Sequence, residues 1–84
     1  MNQLILFPDR EEWDDHLRSV CFPAQVNGFL VNCRVSAETL NKHETVCTEA
    51  EALTVFKEYR WDYEEEAELL IQNEEFDEQG WIVI

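Results

Sequence analysis

Ser19-Val-Cys-Phe-Pro-Ala-Gln-Val26 and Phe29-Leu-Val-Asn-Cys-Arg-Val-Ser36 are two strand-like runs separated by Asn27-Gly28, the dipeptide favoured in two-residue type I′ turns. Such a turn sets the register. Val26 then faces Phe29, Ala24 faces Val31, Phe22 faces Cys33 and Val20 faces Val35. One face of the hairpin is therefore apolar along its whole length. The other carries Cys21, Pro23, Gln25, Leu30, Asn32 and Arg34, the mixed set expected where a sheet meets solvent or a thin cover. Pro23 cannot donate to a ladder, so its strand is expected at an edge or bulged there. The register also separates Cys33, in the apolar face, from Cys21, opposite Arg34, and the two cannot bridge without a slip in pairing. Cys33 reads as a small core residue, whereas Cys21 beside Arg34 is at most a site of some thiolate character.

The apolar face needs a cover, and the second half of the chain supplies one. Thr48-Glu-Ala-Glu51 is a capping box that opens a helix extending to about Asn73. At 1.5 Å per residue a helix over 48–73 runs about 39 Å, against roughly 25 Å across a domain of this length, so its end protrudes or it bends. With Phe56 set at zero and about 100° per residue, Ala52, Leu53, Tyr59, Tyr63, Ala67, Leu70 and Ile71 form a core stripe. Arg60 falls inside that stripe. Trp61 and Leu69 fall on the far side, together with Glu58, Asp62, Glu65, Glu66 and Glu68.

These positions carry the candidate site. A guanidinium near a buried stripe must reach water along its stem or find anions, so Arg60 is expected to hold Glu64 or backbone carbonyls at a strand end, or alternatively to bind an external anion. Trp61 has no place in the core unless the segment around Trp13 or the chain after Asn73 covers it. Left uncovered, a large aromatic among acids is an interface anchor, because tryptophan is enriched at binding hot spots.

The remaining elements are short. Leu4-Ile-Leu-Phe7, closed by Pro8-Asp9, reads as a strand. Asp9 and Glu12 are expected to cap one or two helical turns through about Leu17, with Trp13 folded onto the core as a lid. Ser36 caps a short helix from Ala37 to about Lys42, and His43–Cys47 connects it to the long helix. Asp77-Glu-Gln-Gly80 reads as a turn before a terminal strand, Trp81-Ile-Val-Ile84, whose unbroken apolar run implies burial on both faces or a place inside the sheet.

Composition excludes several function classes. The chain has 84 residues, 45% of them hydrophobic, enough for one core in a single domain over 1–84. Its net charge of −13 is uneven: residues 1–47 hold seven acids and four bases, residues 48–84 twelve acids and two bases. With no two basic residues adjacent, direct nucleic-acid binding is not expected, whereas a basic protein surface would be attracted. No apolar run approaches a membrane span and the start lacks a secretory leader, which points to a cytoplasmic protein without membrane attachment. Cys21, Cys33 and Cys47 fit neither a disulfide framework nor a CxxC motif, so reduced thiols are expected. His16 and His43 form no metal-ligand pair at helical spacing, and Asn73–Gly80 lacks the alternating ligands of a calcium loop. There is no phosphate-binding glycine loop, no dinucleotide fingerprint and no nucleophile elbow, so no cofactor, metal or catalytic residue is expected.

Phe7-Pro-Asp-Arg-Glu-Glu-Trp-Asp14, Val20-Cys-Phe-Pro-Ala24 with Val26-Asn-Gly28, Tyr59-Arg-Trp-Asp62 with Glu64–Glu68, and Gln79-Gly-Trp81 resemble, in the same order, the YrdB-like family of small bacterial proteins, domain of unknown function 1488. The resemblance implies a single small α+β domain in a bacterial cytosol. It brings no activity, cofactor or catalytic residue to carry over.

Together these readings predict an α+β fold: a small, mostly antiparallel sheet of about four strands, built on the 19–26/29–36 hairpin, against one long C-terminal helix of about 48–73 plus short helices. They predict a non-enzymatic protein–protein interaction module that uses Trp61, Glu58, Asp62, Glu65 and Leu69. The partner would be a protein with a basic surface or a second copy of the chain. An acidic mimic that occupies a partner's nucleic-acid-binding surface, and a small-molecule or enzymatic site near Arg60 and Cys21, are the alternatives.

Overall fold

In the computed structural model of the protein, which describes residues 4–84, Asn27 and Gly28 both adopt positive φ, 51° and 89°. That is the backbone a type I′ turn demands, and Gly28 adopts it without a Cβ penalty. The turn joins β3 (Ser19–Val26) to β4 (Phe29–Ser36) in the register expected, from Val26 opposite Phe29 to Ser19 opposite Ser36. β1 (Ile5–Leu6) and β2 (Glu12–Asp14) both pair with the other side of β3, and β5 (Ile82–Val83) runs parallel to β4. The result is a five-stranded mixed sheet, antiparallel except for β5.

Pro23 explains why two short strands share one side of β3. In a two-residue hairpin the pair flanking the turn exchanges hydrogen bonds, so the backbone nitrogens of residues 19, 21, 23 and 25 point away from β4. Pro23 has no proton to offer there. β1 pairs with Gln25 and Val26, β2 with Ser19, Val20 and Cys21, and the proline falls in the gap between them.

The helical turn expected over Asp9–Leu17 is replaced by strand β2 and a turn. The free amide and carbonyl groups of Ser19 and Cys21 need partners, and Glu12–Asp14 supplies them, a non-local demand that outweighs the local capping preference. Asp14 instead accepts the amide of Leu17 in the turn that follows. Trp13 does fold onto the core, half-buried, with the Arg18 guanidinium 5.4 Å from its ring centre.

Ser36 caps α1 (Ala37–Leu40). Thr48 opens α2 (Glu49–Glu58) with both halves of the capping box present. The single helix expected to run to Asn73 is interrupted at Tyr59, where φ −110° and ψ 22° leave the helical region, and α3 (Arg60–Gln72) follows directly. No proline or glycine stands there. The break is flanked by two tertiary anchors: the His43 ring stacks on Tyr59 at 4.0 Å, and Arg60 is drawn into the loop between β1 and β2. Together α2 and α3 cover one face of the sheet.

The core lies between that face and the helices. Val20, Phe22, Ala24, Cys33 and Val35 from the hairpin meet Ala52, Val55, Phe56, Tyr63, Ala67 and Ile71 from the helices, with Leu40 and Ile82 closing the ends. The apolar hairpin face is not buried throughout. Phe29 overruns the helical cover and is 77% exposed. The expectation that the terminal strand is buried on both faces or lies inside the sheet is corrected: β5 is an edge strand, and Ile82 is buried but Val83 is 44% exposed, because nothing among the described residues covers its outer face.

One core group is unsatisfied. The Tyr63 hydroxyl is buried without a hydrogen-bond partner among the described residues, and burial raises its pKa to about 12. Because a buried unpaired hydroxyl loses its water without compensation, Tyr63→Phe is expected to be neutral or stabilising by up to about 1 kcal/mol. A denaturant melt that shows a loss of more than that would mean the hydroxyl has a partner.

Candidate functional site

Arg60 is the first residue of α3, and its side chain reaches the loop between β1 and β2. Its Nε donates to Glu64 at 2.8 Å, and its Nη1 donates to Asp9 at 2.8 Å and to Glu11 at 2.6 Å. Nη2 donates to the Pro8 carbonyl at 3.3 Å, and the guanidinium carbon lies 5.5 Å from the centre of the Phe56 ring. Desolvation works against the charge, but the bonds to Glu64 and Glu11 outweigh it and hold the pKa above its ordinary value. Glu64 and a strand-end carbonyl were legible as partners from spacing and pattern. Asp9 and Glu11, about fifty positions away in the chain, were not. Arg60 thus ties the α2–α3 junction to the β1–β2 loop, and its donors are turned to the protein's own acids.

Its neighbour points the other way. Trp61 is 84% exposed, and neither the Trp13 segment nor the chain after Asn73 covers it. It lines a shallow, open groove of about 480 Å³ together with Ile5, Phe7, Glu64, Glu65 and Glu68. A second open depression, along Lys57–Asp62, lies on its other side. Glu58, Asp62 and Glu65 are exposed, as is Leu69 at 55%. The part of the groove contributed by Ile5 and Phe7 had no sign in the helical pattern, because it depends on which segment lies beside α3.

The acids themselves are not inert toward each other. The Glu58 carboxyl is shifted up by a hydrogen bond with the Glu44 carboxyl and by its charge. Neighbouring carboxylates mark a local excess of negative charge that a cation would relieve.

Cys21 lies elsewhere, in an open cleft of about 350 Å³ with Glu12, Asp14, Pro23, Asn32 and Trp81, where β1 and β2 part. Burial, then the nearby Asp14 charge, pushes its thiol up to about 11 against the opposing pull of Arg34. It is a protonated thiol at neutral pH rather than a nucleophile. Arg60 does not line this cleft, so the structure does not bring the two residues together. Cys33 is buried, with its thiol raised by burial to about 12, and Cys47 is exposed; all three are free. Among the described residues no group of three or more metal-ligating side chains converges, and no helix is long and apolar enough to cross a membrane.

The architecture defines a small α+β protein with a mixed five-stranded sheet, two consecutive helices on one face and an acidic helical surface. A family model described as a protein of unknown function, DUF1488, matches residues 5–84, and the chain belongs to that family. The uncharacterised protein YrdB of Escherichia coli strain K12 is 52% identical over 82 residues, covering 98% of this chain and 96% of its own. YrdB of Shigella flexneri is 51% identical over the same span. The crystal structure of a DUF1488-family protein of unknown function from Shewanella loihica PV-4 superposes with a TM-score of 0.93 at 37% identity, over 100% of this chain and 94% of that one.

Proposed function

We propose that the protein is a non-enzymatic interaction module that captures a basic segment of a partner protein in the groove beside Trp61. The observation that supports this is the combination found there: an 84% exposed indole in an open groove that Ile5, Phe7 and glutamates also line. A lysine or arginine matches that chemistry. Its aliphatic stem would lie on Ile5, Phe7 and the indole face, and its cation would meet the ring quadrupole and the carboxylates of Glu65 and Glu68. Glu58, Asp62 and Leu69 extend the contact along the same helical surface. The net charge of −13 would raise the encounter rate with any basic surface.

Trp61→Ala is expected to weaken capture of the partner by about 2 kcal/mol or more, roughly 30-fold, while leaving the melting temperature nearly unchanged because the side chain supports no core contact. Affinity capture of wild type and variant from the native cytosol, with partners identified and titrated, checks this. Binding should also weaken as salt rises, since the attraction is between exposed charges. Partners retained by Trp61→Ala, or held independently of salt, would remove the proposal. Salt-sensitive partners consisting mainly of nucleic-acid-binding proteins, released by added DNA or RNA, would favour the acidic-mimic reading of the same surface.

A further inference from the structure

A second surface lies at the far end of the hairpin and owes nothing to the acidic helices. β5 pairs with Cys33 and Arg34 alone, so among the described residues no strand borders β4 from Phe29 to Val31 on the side away from β3. The hairpin register directs the amide and carbonyl of Leu30 and the amide of Asn32 toward that open side, while the Asn32 carbonyl faces the start of β5. Natural sheets protect such an edge with lysine, proline, a bulge or a covering segment. This one offers Phe29, 77% exposed, Leu30, 64% exposed, then Val31 and Asn32.

Charge singles out the same region independently. In a chain of net charge −13, no charged residue occurs from Ser19 to Cys33, nor from Leu4 to Pro8. These segments adjoin through the pairing of β1 with β3. Leu6, Gln25 and Leu30 form a row across β1, β3 and β4, with Leu6 50% and Leu30 64% exposed on the outer face. Two copies of so acidic a chain repel each other wherever their helices approach, and the neutral hairpin end is where they can meet without that repulsion. A basic peptide, by contrast, gains nothing from an uncharged edge.

We propose that the open edge of β4 pairs antiparallel with the same edge of a second copy, forming a two-fold dimer centred beside Leu30. On that axis the outward amide and carbonyl of Leu30 exchange hydrogen bonds with their counterparts, and Phe29 lies across from the second copy's Val31. The sheet then continues through both molecules and the exposed leucines become mutual contacts.

Sedimentation equilibrium of the full chain over a range of concentration and salt tests this. The mass is expected to rise from 10.0 kDa toward twice that value with concentration, and the dimer to strengthen with salt as like-charge repulsion is screened. This salt response is opposite in sign to that of the proposed partner capture. Leu30→Lys, at an exposed position that does not perturb the fold, is expected to weaken dimerisation about tenfold or more, with an unchanged thermal melt. Trp61→Ala should leave the dimer intact. A monomer at every concentration and salt overturns the proposal. So does a dimer that survives Leu30→Lys, one that salt dissociates, or one that is lost with Trp61.

Discussion

Arg60→Ala is expected to destabilise the protein by about 2–4 kcal/mol, because removing the central member of a partly buried ionic network leaves Glu64 without its cation and Glu11 with only Lys57, at 3.9 Å. The side chains of Glu11 and Glu64 are only 12% and 20% exposed, so each would lose its main counter-ion where water cannot fully replace it. Asp9, 87% exposed, would lose little. For a domain of this length the loss lowers the melting temperature by about 10 °C or more. Arg60→Lys should recover only a minor part, since one ammonium cannot reach three carboxylates and the Pro8 carbonyl in the same planar fork. Glu11→Gln in the Arg60→Ala background should restore part of the stability, as the stranded charge is then gone. Calorimetry of the four proteins gives the answer. If Arg60→Ala melts within a degree or two of wild type, the guanidinium is not a structural tie and is available for an external anion.

Phe56→Ala should be more severe, about 3–5 kcal/mol. Phe56 is fully buried and stacks on Tyr63 with 5.7 Å between ring centres and against Phe22 at 5.0 Å. It also lies under the Arg60 guanidinium. The cavity would therefore open at the point where α2, α3 and the hairpin meet. Because a domain this small is stable by only about 4–12 kcal/mol, the variant is expected to unfold at a much lower denaturant midpoint or to lose its cooperative transition. A change below about 1 kcal/mol would show that this packing centre is misplaced. Both substitutions act on stability, whereas Trp61→Ala and Leu30→Lys act on association, so the four together separate what holds the fold from what it presents.

Much of the candidate site was legible because it depends on periodicity. Assigning Arg60 to the core stripe and Trp61 to the acidic side required only the 100° step along a helix, and both assignments hold in the structure. The apolar lining of the groove and the two distant carboxylates on Arg60 were not legible, since no spacing rule links Ile5 or Glu11 to a helix fifty residues later. The open edge of β4 was equally hidden: Leu30 could be placed on the outer face, but how far β5 extends along β4 is set by the length of the preceding loop.

What the amino-acid sequence determined by itself was local. The Asn27-Gly28 turn carried the whole hairpin register, Ser36 and Thr48 marked two helix starts, and the charge imbalance and missing motifs bounded the partners. What tertiary structure decided was wherever local preference met a distant demand. Glu12–Asp14 became a strand because β3 had backbone groups to satisfy, and the long helix broke at Tyr59, between the contact with His43 and the Arg60 ties to the Asp9–Glu11 loop. Phe29 stayed exposed because the helical cover stops short of the hairpin end, and Val83 because it lies on the outer face, which the helices do not cover. Interactions within a few residues are encoded in spacing, whereas hydrogen-bond satisfaction and coverage depend on which segments the folded chain brings together.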